Sequence, residues 1–128
     1  MRIVGHGLDL VEVARIERMV ADHGDRFLER CFTPDERAYA ASSVRSSEHL
    51  AARFAAKEAV FKSLGVGWGT GVAWTDVEVR RDPTGKPALM LAGGAERAAA
   101  RLGITHWHLS LTHTTGFAAA SVIAIAQL

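Results

Sequence analysis

Two carboxylates stand where the pattern of their neighbours asks for apolar side chains. Between residues 47 and 64, Leu50, Ala51, Phe54, Ala55, Phe61 and Leu64 form one stripe at helical spacing. At about 100° per residue, Glu58 falls inside that stripe, between Ala51 and Phe54. Burying a lone carboxylate is costly unless a partner or a cation meets it. Lys62, one turn further on, can supply an internal i, i+4 ion pair. Near the start of the chain Ile3, Gly5, Gly7, Asp9 and Val11 alternate onto one strand face. Asp9 therefore repeats the anomaly, beside two glycines that leave space. It can also be a cap for the helix that follows. Together, two such carboxylates can hold a hard divalent cation whose open positions take phosphate oxygens.

Basic groups gather around the same elements. Arg45, Arg53, Lys57 and Lys62 lie in or just before the long helix, with Arg53 and Lys57 at one edge of its stripe. Such a set can grip a ligand with several phosphates, or form a solvated cationic face. Arg15, Arg18 and Met19, with Arg26 beyond them, can form a basic docking surface with an apolar contact, although Glu12, Glu17, Asp22 and Asp25 are interleaved. In His106-Trp107-His108-Leu109-Ser110-Leu111-Thr112-His113-Thr114, His113 shares a face with Leu109 and Leu111, and His106 and His108 share the other. A His-x-His pair can bind zinc, but no thiolate accompanies it. There is no P-loop, and Gly5-His6-Gly7-Leu8-Asp9 does not complete a dinucleotide fingerprint.

These residues need elements to position them. The spacing predicts a strand over 2–12, a helix over 12–23 and a helix opened by the capping box Thr33-Pro34-Asp35-Glu36. The long helix over 47–64 is closed by Gly65 and followed by a glycine-rich loop over 65–71. Strands follow over Val72–Arg80 and Pro87–Leu91, then a short helix over 94–102 and a hairpin of His106–Thr112 with Phe117–Ala126. This order predicts an α+β fold, a single domain over 1–128 with helices packed on a mainly antiparallel sheet. With 128 residues, 48% hydrophobic and 23% charged, the chain has the composition of a soluble globular domain. A net charge of +1 argues against a nucleic-acid binder, and no segment has the length of a signal peptide or a membrane span. The lone Cys31 permits no intrachain disulfide, which fits a cytoplasmic setting.

Three segments resemble a known family. Gly5-His6-Gly7-Leu8-Asp9-Leu10-Val11-Glu12 resembles the opening motif of the bacterial holo-acyl-carrier-protein synthases. Arg53-Phe54-Ala55-Ala56-Lys57-Glu58-Ala59-Val60-Phe61-Lys62-Ser63-Leu64-Gly65 is similar to the signature helix of the phosphopantetheinyl transferase superfamily, and His108–Thr114 to its closing strand motif. Asp76-Val77-Glu78-Val79 and Gly85-Lys86-Pro87 fit as well. The resemblance implies transfer of the 4′-phosphopantetheine group of coenzyme A to a serine of apo acyl carrier protein, in support of fatty acid biosynthesis. It implies Mg2+ at Asp9 and Glu58, and a coenzyme environment of Arg45, Arg53, Lys57, Lys62 and His113. Glu58, Lys62 and His113 become the candidates for catalysis, and Arg15, Met19 and Arg26 for carrier docking. Double-length relatives carry a third carboxylate two residues after the first; here Val11 stands there. His6 replaces a more usual apolar residue. A homotrimer with active sites between subunits is also implied. The alternative is a non-catalytic coenzyme A or nucleotide-binding module.

Overall fold

The structure is a computed structural model and describes residues 1–66 and 71–127. Strand β1 (Arg2–Glu12) runs without a loop into helix α1 (Val13–His23), where Val13 and Ile16 turn into the core. Gly24, at φ 54°, breaks the helical path. A second short helix, α2 (Asp25–Cys31), starts at once; the sequence reading does not anticipate it. Helix α3 (Pro34–Ala41) opens with the expected capping box. Glu36 N donates to Thr33 Oγ1 at 3.3 Å, and Thr33 N donates to Glu36 Oε1 at 2.9 Å.

Helix α4 (Ser46–Leu64) lies at the centre and ends at Gly65, which takes the left-handed conformation at φ 69°. It packs on β1, on the last strand and on its helical neighbours. As a result it is buried nearly all round: every residue from Leu50 to Lys57 is covered. The expected narrow stripe is too small a description. After α4 the predicted glycine-rich loop falls partly on residues 67–70, outside the described residues. The predicted strand from Val72 begins only at Val77. Asp76 Oδ2 accepts from Ala73 N at 3.0 Å and closes a 3-10 turn over Trp74–Asp76 before β2 (Val77–Arg81). Strand β3 (Pro87–Leu91), helix α5 (Gly93–Arg101), β4 (His106–His113) and β5 (Phe117–Ala126) follow as predicted to within a residue.

The helices pack on antiparallel sheets, and the described residues form two of them. One has the order β1-β5-β4 and the other pairs β2 with β3. A register shift between Ile3 and Gly5 interrupts β1. Past it, glycine allows a very close approach of helix to strand. A Cβ on Gly7 would stand 1.8 Å from the backbone oxygen of Ala59, and one on Gly5 2.3 Å from that of Ser63. Helix α4 thus rests with its backbone against β1, and this contact brings Asp9 and Glu58 onto neighbouring ground.

Two expected coenzyme ligands are core residues instead. Lys57 is 0% exposed, and its Nζ donates to Glu36 Oε1 at 2.8 Å, to Trp74 O at 3.2 Å and to Val77 O. Glu36 is itself buried and accepts from Val79 N at 2.9 Å through Oε2. Burial works to lower the pKa of Lys57, and Glu36 works against it. With three acceptors around Nζ, the ammonium form is the one this pocket satisfies. Lys57 therefore ties α4 to α3 and β2, and a ligand could not take it without stripping Glu36 of its counter-charge. Arg53 is 2% exposed; its guanidinium carbon lies 4.3 Å from the ring centre of Tyr39. The spacing puts both residues at the edge of a stripe, but wrapping α4 on all sides removes that edge.

Candidate functional site

Asp9 leaves β1 half-buried, and Glu58 leaves α4 half-buried. The Glu58 carboxyl pKa is raised, first by burial and next by the negative charge of Asp9, while Arg15 and Lys62 oppose the shift. The two carboxylates therefore feel one another, as a cation-binding pair must. The i, i+4 pair of Glu58 with Lys62 is not what forms. Lys62 Nζ instead lies 3.0 Å from Asp9 Oδ1 and donates to Leu8 O at 2.9 Å. An ammonium thus sits on one of the proposed ligands. The donor chemistry fits Mg2+, a hard cation that binds through one or two carboxylates and completes its shell with water and phosphate. Val11 is buried in the core and offers no third carboxylate. Among the described residues no group of three or more His, Cys, Asp or Glu could hold a metal ion, so His106 and His108 gain no partner for zinc.

A second cluster occupies the other end of α4. Arg45 occupies its N-cap position and is exposed. His113, at the end of β4, has its Nδ1 3.1 Å from Glu48 Oε1. His49 stands between this pair and Tyr39, with ring centres 6.3 Å from His113 and 5.1 Å from Tyr39. Its pKa is lowered, first by burial and then by Arg53, His113 and Arg81. Arg53 and Arg81 flank Tyr39, and Arg81 Nε donates to its hydroxyl at 2.8 Å. Arg53 Nε is buried without a hydrogen-bond partner. Arg45, Arg53 and His113 are thus brought to one end; Lys62, Asp9 and Glu58 stand at the other. Glu48, Tyr39 and Arg81 escape the sequence reading. A first-turn acid such as Glu48 is explained by the helix dipole alone, so it carries no visible signal.

Of the proposed docking residues, Met19 and Arg26 line one groove between α1 and α2, together with His23, Phe27 and Arg30. Arg15 lies apart from that groove. Its guanidinium carbon is 5.5 Å from the ring centre of Phe54, and its charge acts on Glu58. His6 lies on the outer face of β1, with Nε2 3.3 Å from Ser121 Oγ.

The arrangement matches known proteins over nearly the whole chain. The sequence profile of the 4′-phosphopantetheinyl transferase superfamily matches residues 5–125. The holo-[acyl-carrier-protein] synthase of Solibacter usitatus is 50% identical over 121 residues, covering 94% of this chain and 97% of that protein. That of Geobacter sulfurreducens is 45% identical over 121 residues, covering 94% and 96%. Among solved structures, a holo-(acyl-carrier-protein) synthase from Bacillus anthracis in complex with CoA (3′,5′-ADP) superposes with a TM-score of 0.80 at 39% identity, covering 98% of each chain. The Neisseria meningitidis enzyme gives a TM-score of 0.88 at 31% identity, covering 97% of this chain and 99% of that one. Motifs, fold and relatives agree: this chain belongs to the 4′-phosphopantetheinyl transferase superfamily, among its holo-[acyl-carrier-protein] synthases.

Proposed function

We propose that this protein transfers 4′-phosphopantetheine from coenzyme A to a serine of an apo acyl carrier protein. The products are holo carrier and adenosine 3′,5′-bisphosphate. The observation that carries the reading is the meeting of Asp9 and Glu58 beside Lys62 on a chain whose close relatives bear this activity as their name. Asp9 and Glu58 would hold Mg2+, which supplies Lewis-acid stabilisation of charge developing on the pyrophosphate. Lys62, on the rim of the same pair, stabilises the departing phosphate oxygens. The carrier serine oxygen attacks the phosphorus bearing pantetheine, and its proton passes to a base. Glu58, a metal-bound water and His113 are the candidates for that base. The setting is the cytoplasm, where coenzyme A and carrier meet; no helix among the described residues is long and apolar enough to cross a membrane. Incubation with labelled coenzyme A and apo carrier tests the proposal: covalent label on the carrier supports it, and reversible binding alone makes the chain a binding module.

Carrier docking falls to the groove of Met19 and Arg26. Electrostatic contacts of this kind act on encounter and fade with salt. Arg26→Glu should raise the carrier KM about tenfold at low salt, leave coenzyme A affinity unchanged, and lose its effect as salt is added. Arg15→Glu, beside Glu58, should damage both. An Arg26→Glu enzyme with ordinary carrier kinetics would move docking off this groove.

The assembly we propose is a homotrimer with its clefts between subunits. Residues 48 and 58 are ten apart on α4, about 15 Å along its axis, which is more than separates the phosphates of one coenzyme. One chain's His113 end and its Asp9 end therefore belong to different clefts. The outer sheet face also favours self-association: Leu8 is 60% exposed, Leu10 65% and Phe117 47%. Closed cyclic symmetry permits three identical clefts. Asp9→Ala and His113→Ala proteins, unfolded together and refolded as mixtures, should regain part of the activity each lacks. Asp9→Ala mixed with Glu58→Ala should regain none. An active monomer in sedimentation would end the shared-cleft reading.

A further inference from the structure

Glu48 and His113 make a contact that neither the metal pair nor carrier docking uses. An ionised carboxylate has no hydrogen to give, so His113 Nδ1–H donates to Glu48 Oε1 across 3.1 Å. The Glu48 side chain is 15% exposed and that of His113 35%. The carboxylate is sheltered, while the imidazole is partly open to solvent. Few other groups face this ring. From α4 there is His49, whose lowered pKa favours a neutral neighbour. On β5 the residue opposite is Ala118. Arg45 and Glu17 line the same groove as Glu48 and Thr115, whereas Arg53 and Arg81 lie beyond His49, around Tyr39.

We propose that Glu48 is a positioning residue for coenzyme binding: it fixes Nδ1–H of His113 inward and leaves Nε2 outward, so that an arriving phosphate draws a proton onto Nε2. The inference rests on the reading that His113 contacts coenzyme A. The balance is simple. Solvent supplies one proton, Nε2 gains an N–H bond, and nothing else is made or broken. The resulting imidazolium lies between a carboxylate and a phosphate, and both hydrogen bonds are charge-assisted. Without the carboxylate the ring can turn or adopt the other tautomer, and Nε2 is no longer reserved for the ligand. Sequence spacing cannot show this device, because Glu48 and His113 meet only when β4 is laid along the start of α4.

The test is calorimetric titration of coenzyme A into the wild-type protein, Glu48→Gln, Glu48→Ala and His113→Ala. Each is run in buffers of different ionisation enthalpy, so that proton uptake is counted. The uptake of His113→Ala is subtracted, since the coenzyme's phosphates exchange protons themselves. The wild type should show uptake above that baseline. Glu48→Ala should bind about tenfold more weakly and lose the excess uptake. Glu48→Gln can still accept from Nδ1–H but carries no charge; it should keep the tautomer, read from the imidazole 15N shifts, and fall between the two. If Glu48→Ala does not fold, Glu48→Gln alone decides through its proton uptake. Wild-type affinity and uptake in the folded Glu48 variants overturn the inference, provided His113→Ala is weakened. If His113→Ala binds coenzyme A as the wild type does, the reading of His113 as a coenzyme contact falls first, and the inference with it.

Discussion

Glu58→Gln should cut the transfer rate by about 10²-fold or more, the loss expected of a positioned catalytic group, while making the metal-free protein more stable at neutral pH. The two effects share one cause. Burial and Asp9 raise the Glu58 pKa above its ordinary value. A raised acid favours the protonated form in the folded state, so its contribution to stability is present at low pH and is lost as pH rises through the folded pKa. Glutamine mimics the neutral form at every pH. The stability gained by Glu58→Gln should therefore be small in acid and grow towards neutrality. Added Mg2+ should raise the Tm of the wild type and leave that of the variant nearly unmoved, because ligand binding stabilises only a fold that can bind. Asp9→Ala should lose rate comparably. A Glu58→Gln protein that transfers at the wild-type rate would remove Glu58 from both metal and base.

Lys57→Met should cost about 3–5 kcal/mol of folding stability, the usual result of breaking a buried ion pair from one side. The methionine has room, but Glu36 loses the ammonium it is paired with and keeps the Thr33 and Val79 amides. Urea unfolding measures the loss. Adding Glu36→Gln to Lys57→Met should recover part of it, because the stranded charge is then gone. Enzyme that stays folded should keep its affinity for coenzyme A, since Lys57 faces the core. A loss below about 1 kcal/mol, or a selective loss of coenzyme binding, would contradict the structural role described.

What could be read from the chain was local, or was marked by being out of place. Thr33 and Glu36 announce α3 because a capping box lies within four residues. Asp9 and Glu58 stand out because each interrupts an apolar row, and the glycines beside Asp9 hint at a close neighbour. Lys57 could not be read the same way. Its partner Glu36 comes from another helix, and periodicity assigns a long basic side chain to an edge that a helix enclosed on all sides does not have. Helix α2 is too short to establish a period, and Gly24 reads equally well as an ordinary stop. The division into two sheets depends on which strand edges meet, and no alternation pattern encodes that. His113 could be singled out by its motif, but its carboxylate partner could not.

Strand β1 has alternate residues with separate duties. Gly5, Gly7 and Asp9 face α4, and at the two glycines a single added methyl group would strike backbone, while His6, Leu8 and Leu10 look away from it. Divergence along this strand should therefore come in a two-beat rhythm. Positions 5, 7 and 9 are frozen by contact, whereas positions 6, 8 and 10 are free to drift. A lineage can then rework this outer face without disturbing the distance between its two carboxylates, and surface and chemistry can evolve on independent clocks although they share one stretch of backbone.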